Sequence, residues 1–210
     1  MRMITAKVAG FFGLAFLLLT TAAAQEPTKS AMAYLPQGES LRAYAGWRVT
    51  GKDGRLLCVV SEAAASNSDE LPTRSLRIYR EKSSGLVELH KFASPDSVVS
   101  IFSLGDYDAR LVVTWVGGSA YHLRILAFLE GQVKQVFDEG SNLLPEFLYD
   151  DRGRELVLIT DPAIKNGKWT PTNGTTTVFK WDGAGYEKIG TVPWAKRLQC
   201  LSKESCASLK

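Results

Sequence analysis

Residues 179–190 read FKWDGAGYEKIG. An alternating strand breaks at Asp182-Gly183-Ala184-Gly185, then resumes with Tyr186 and Ile189. That is the period-2 signature of a β-hairpin. One hairpin says little about a fold, but a repeated hairpin decides it. The apolar positions Val178, Tyr186 and Ile189 recur upstream as Ile125, Val133 and Val136, and again as Ile78, Leu86 and Leu89. The three segments RIYREKSSGLVEL, RILAFLEGQVKQV and TVFKWDGAGYEKI align without a gap.

A second element recurs ahead of each hairpin: GKDGRLLCVVS from Gly51, GDYDARLVVTW from Gly105 and DDRGRELVLIT from Asp150. Each opens on Asp and Gly turn residues and becomes a run apolar on both faces, as a strand covered on both sides requires. One more candidate strand precedes each: AYAGWRVT, SVVSIFSL and PEFLY. Each unit therefore holds about four short strands at a period of about 45 to 55 residues, the pattern of propeller blades or a related stacked array. No segment after residue 25 sustains helical apolar spacing. The expectation is an all-β fold of three four-stranded antiparallel propeller-blade-like repeats, over residues 41–95, 96–141 and 142–196. Closed propellers need at least four blades, so three make an incomplete or atypical ring.

These units resemble the FG-GAP/VCBS-type repeats of β-propellers, including those at the head of integrin α chains. The resemblance implies a calcium loop of the D-x-D-x-D-G kind in the turn between the first two strands. Here that turn keeps Asp53-Gly54 in the first unit, Asp106 and Asp108 in the second, and Asp150, Asp151 and Gly153 in the third. Calcium takes six to eight oxygens, and no single turn supplies enough carboxylates. Asp106 and Asp108 stand as weak metal candidates, and the expectation is no metal and no cofactor.

The chain opens with Arg2 and Lys7, an apolar run over Val8–Leu19 and the small residues Ala22-Ala23-Ala24. This is the three-part pattern of a cleaved export signal over 1–24, followed by a linker over 25–40. It places the protein in the periplasm or outside the cell, with no membrane span left after cleavage. Cleavage removes Arg2 and Lys7 and no acid, so the formal charge of +3 falls toward neutrality. A near-neutral chain offers no cationic face for nucleic acid. Cys58 lies in the apolar run LLCVV, whereas Cys200 and Cys206 flank CLSKESC in the tail over 197–210. Oxidising surroundings would let those two form a local disulfide.

The connections between second and third strands differ in length: EAAASNSDELPTR, GGSA and DPAIKNGKWTPTNG. Loops tolerate change that packed strands do not, so binding belongs there. Trp169, beside Lys168 and ahead of Pro171, is a large aromatic in a polar stretch and a candidate stacking platform for a sugar or peptide. The alternative is that it covers a blade edge. Asn173-Gly174-Thr175 is an N-glycosylation pattern in the same connection, and Asn173 joins the candidate set. Neither His90 nor His122 sits in a motif with a nucleophile, and G-x-S-x-G is absent. Glu146, Asp150, Asp151 and Glu155 cluster, and paired carboxylates can hydrolyse glycosides, but PEFLYDDRGREL reads first as a strand, a turn in which Arg152 and Arg154 balance the acids, and another strand.

The reading is an exported binding protein without catalytic residues, acting on a protein or glycan partner through these connections or an exposed blade face. One alternative is a hydrolase of extracellular polymers that uses the third-unit carboxylates. Another is a self-associating subunit, a homo-oligomer that completes a larger ring.

Overall fold

The computed structural model describes residues 35–49, 54–65, 71–104, 110–150, 153–165 and 168–201. Residues 1–34, where an export signal and most of a linker are expected, lie outside the described residues. So do Asp53, Asp106, Asp108, Asp151, Arg152 and Cys206.

Among the described residues, twelve strands form three four-stranded antiparallel sheets, none closed into a barrel. The first holds β1 (Glu39–Arg48), β2 (Arg55–Ala63), β3 (Arg74–Lys82) and β4 (Gly85–Ser94). The second holds β5 (Ser97–Leu104), β6 (Arg110–Gly117), β7 (Ala120–Leu129) and β8 (Gln132–Ser141). The third holds β9 (Glu146–Tyr149), β10 (Glu155–Lys165), β11 (Lys168–Trp181) and β12 (Tyr186–Pro193). In each sheet, spatial order follows chain order. A 3-10 helix over Trp194–Leu201 follows, so a short helical element closes the third unit where the sequence reads as tail.

The repeat extends to the register. Each hairpin of third and fourth strands carries a β-bulge at the same place: after Ile78, after Ile125 and after Val178. The extra residues are Leu89, Val136 and Ile189, the apolar positions that align in sequence. A bulge places two residues against one and bends the strand. Here it lets one more apolar side chain reach the interior.

Those residues also show how the sheets stack. Leu89 packs in a core shared by the first and second sheets, with Trp47, Leu56, Cys58, Ile78, Leu111, Val113, Trp115 and Leu126. Val136 packs between the second and third sheets with Val112, Leu123, Ile125, Val157, Ile159 and Phe179. Ile189 joins Leu156, Leu158, Val178 and Val192 on the far face of the third sheet, where the 3-10 helix packs against β11 and β12. Each sheet thus presents the same face forward, and the helix stands where a fourth sheet would begin. Aromatic rings cross both interfaces edge-on: Trp47 with Phe128 at 6.3 Å and Phe92 with Trp115 at 5.4 Å, then Phe102 with Phe147 at 5.4 Å and Phe137 with Phe179 at 4.9 Å. This edge-to-face geometry adds to area burial.

Candidate functional site

The long third connection is not a loop. β10 and β11 continue past their neighbours as a paired ribbon, Ala163 opposite Thr170, Ile164 opposite Trp169 and Lys165 opposite Lys168. β9 reaches only as far as Leu158, and β12 only as far as Thr175. Trp169 and Lys168 therefore stand on a strand at the far end of this arm; their side chains lie outside the described residues. Asn173 is exposed at the arm's root. There the register skips between Asp161 and Ala163, setting a longer stretch of β11 against Pro162. A side chain on Gly174 would strike the Asp161 carbonyl and the Pro162 Cα, so only glycine permits this close approach. Asn142 Nδ2 donates to Asp161 Oδ1 at 3.1 Å and Ser141 Oγ donates to the Thr160 carbonyl at 3.3 Å, tying the arm to the β8–β9 connection. The signal missed in the sequence is Asn166-Gly167, the pair that two-residue hairpins favour.

The described third-unit carboxylates, Glu146, Asp150 and Glu155, do not form a free pair. Glu146 accepts from Arg197 Nε at 2.6 Å and Nη2 at 3.1 Å, which fastens the 3-10 helix to β9. Asp150 accepts from the Arg154 backbone N–H at 2.9 Å and from its Nε at 2.5 Å. Glu155 is buried between the second and third sheets, where Arg110 Nη2 donates to one oxygen and the Tyr186 hydroxyl to the other. The Arg110 guanidinium lies over the Trp181 ring, 4.3 Å from its centroid. Burial, followed by the hydrogen bond to Glu155, pushes the Tyr186 phenol well above its ordinary range. Three carboxylates are thus held by three separate cations. Among the described residues, no group of three or more His, Cys, Asp or Glu side chains gathers as a metal site. Cys58 is a free, buried thiol that desolvation pushes far above its ordinary pKa. Cys200 falls in the 3-10 helix, and its side chain, like Cys206, lies outside the described residues.

The two ends of the stack differ. The forward face of the third sheet is apolar and covered by the 3-10 helix. The backward face of the first sheet carries an ionic row instead. Arg77 on β3 donates from Nη1 to Glu39 Oε2 at 2.6 Å and to Ser61 Oγ at 2.6 Å, and from Nη2 to Glu39 Oε1 at 2.7 Å. Its Nε lies 3.6 Å from Glu88 Oε2. The row spans all four strands, and the Arg77 hydrogen bond holds the Glu39 carboxyl below its ordinary pKa. Arg48 and Arg55 face each other across β1 and β2 beyond the end of this row.

His90 is half-buried on β4, where desolvation, followed by the Arg124 cation, lowers its pKa against the opposing pull of Glu88. Arg124 itself lies over the Phe92 ring at 3.7 Å and pairs with Asp138 at 2.6 Å. A lowered base binds its proton more tightly in the unfolded chain. The resulting stability loss therefore begins as pH falls through about 6.5, the unfolded value. Urea unfolding between pH 7.5 and 5.5 is expected to show stability falling with pH, and His90→Gln to flatten that slope. A slope unchanged in the variant would assign it to other groups. The loss tied to Glu39 belongs to a lower window, below about pH 4.5.

No protein-family model matches this sequence, and no curated protein matches it.

Proposed function

We propose that this chain is an exported, non-catalytic binding protein whose contact element is the β10–β11 ribbon, with a protein or glycan as partner. The observation that carries the reading is the ribbon itself. Three sheets repeat down to the bulge, yet among the described residues only the third sends a paired arm past its neighbours. A core has no use for such an extension, whereas recognition elements are commonly carried this way on a rigid scaffold. Trp169 supplies an aromatic face suited to stacking on a sugar ring or a peptide side chain. The separate engagement of Glu146, Asp150 and Glu155 by cations supports a binding role over a carboxylate-pair hydrolase. The common meander and recurring bulge support a relationship to FG-GAP/VCBS-type blades. The leader supports export to the periplasm or beyond.

The test shortens the arm. Replacing Ala163–Thr170 with Gly-Gly-Ser-Ala, the connection used by the second unit, is expected to leave the circular dichroism and melting midpoint of the three sheets nearly intact. Glycan-array and pull-down binding seen with the parent chain should then be lost, and Trp169→Ala should weaken it at least about tenfold, as loss of an interface anchor does. Undiminished binding by the shortened chain would overturn the proposal.

A further inference from the structure

We propose that Arg48 and Arg55 form a site for a dianionic oxyanion, a phosphate or sulfate group carried by a ligand that docks on the backward face of the first sheet. The two residues are directly opposed at the end of the β1–β2 ladder. Their neighbours Trp47 and Leu56 are fully buried in the core between the first and second sheets. Because strand side chains alternate, Arg48 and Arg55 point the other way, and both are exposed. Directly opposed residues sit about 4.5–5.5 Å apart at Cβ, where like charges are destabilising.

Every other described arginine has an acceptor. Arg42 and Arg74 share Glu62, and Arg77 holds Glu39. Arg110, Arg124, Arg154 and Arg197 hold Glu155, Asp138, Asp150 and Glu146. Arg80 donates to the Gly131 carbonyl. Arg48 and Arg55 alone among the described arginines make no ion pair or hydrogen bond through their guanidinium groups, and Glu81 at the end of β3 pairs with neither.

The register explains why Arg55 lacks a partner. Cys58 pairs with Ile78, and Leu158 pairs with Val178, the corresponding position of the third sheet. Counting back three residues from each, Arg55 is the counterpart of Glu155. Glu155 reaches back to the preceding sheet and meets Arg110. Arg55 reaches back as well, but no described sheet precedes the first. Its position is also prepared: the guanidinium lies over Gly46, where any Cβ would collide with Nη2, Nε and Cζ. Two positive charges call for a doubly charged group, and two planar forks suit the several oxygens of a tetrahedral one.

The test titrates the full chain with inorganic phosphate and with inorganic sulfate, against sodium chloride and sodium acetate at matched ionic strength. Nitrogen-15 spectra of the arginine Nε–H groups and the Gly46 amide report binding. Saturable shifts confined to Arg48, Arg55 and Gly46 are expected with the tetrahedral anions and not with chloride. The stronger of the two titrations identifies whether the ligand group is phosphate or sulfate. Arg48→Gln and Arg55→Gln should each weaken binding about tenfold to a hundredfold, the range for losing a charged hydrogen-bonding partner. Without anion at low ionic strength, Arg55→Gln should raise the melting midpoint, and added salt should erase the gain. Linear shifts spread over all exposed cations, equal affinity in the double variant, or a lowered midpoint in Arg55→Gln would each overturn the proposal.

Discussion

Arg110→Ala is expected to cost about 3–5 kcal/mol of folding stability, the range for removing one partner of a buried ion pair. Arg110 and Glu155 are 6% and 5% exposed, so water cannot replace the lost guanidinium. The carboxylate would keep only the Tyr186 hydroxyl, at an interface otherwise filled by Val112, Val157 and Phe179. Urea unfolding checks the size of the loss. A companion variant separates charge from packing: Arg110→Met with Glu155→Leu and Tyr186→Phe leaves no buried polar group of the triad unmatched. Its stability should return to within about 1–2 kcal/mol of the parent, because apolar replacements avoid desolvating two charges. If the triple variant is as unstable as Arg110→Ala, the cluster contributes through shape and not through its ions.

Trp47→Ala is expected to cost about 3–5 kcal/mol, the range for truncating a large aromatic in a core. Trp47 is fully buried and meets Phe128 of the second sheet edge-on. The effect should also be local. Among the described residues, the first sheet shares its apolar core with the second alone, while a separate cluster holds the second to the third. Hydrogen exchange in the variant is expected to accelerate across β1–β4 and stay slow across β6, β7, β10 and β11, so unfolding would cease to be two-state. Uniform acceleration over all three sheets would mean that the stack unfolds as one unit.

The repeats were legible because a face that must be buried needs apolar residues at fixed strand positions, and Ile78, Ile125 and Val178 hold the same one. The gap-free alignment works because the bulge at Leu89, Val136 and Ile189 recurs in every unit. The apolar runs that end GDYDARLVVTW and DDRGRELVLIT lie on strands, β6 from Arg110 and β10 from Glu155. The ribbon was harder to see. Pro162, Pro171 and Asn173 argue against strand locally, while the backbone pairing that overrides them is a property of two segments together. Long-range ion pairs were invisible for a related reason. Arg110 and Glu155 are ordinary turn-flanking charges in sequence, and only stacking brings β6 and β10 together. Alternation tells which way a side chain points, but not what it meets.

The capped forward face bears on how such a chain can grow. A tandem duplication appended after Pro193 would have to displace the 3-10 helix and break the Arg197–Glu146 clasp before a new sheet found an apolar surface. One added ahead of Glu39 would meet Arg77 and its carboxylates. Gain of a blade is therefore cheapest by insertion at the joints around Pro95 or Pro145, where both flanking surfaces are already greasy and matched, so homologous chains of other lengths should differ in the middle and agree at their extremities.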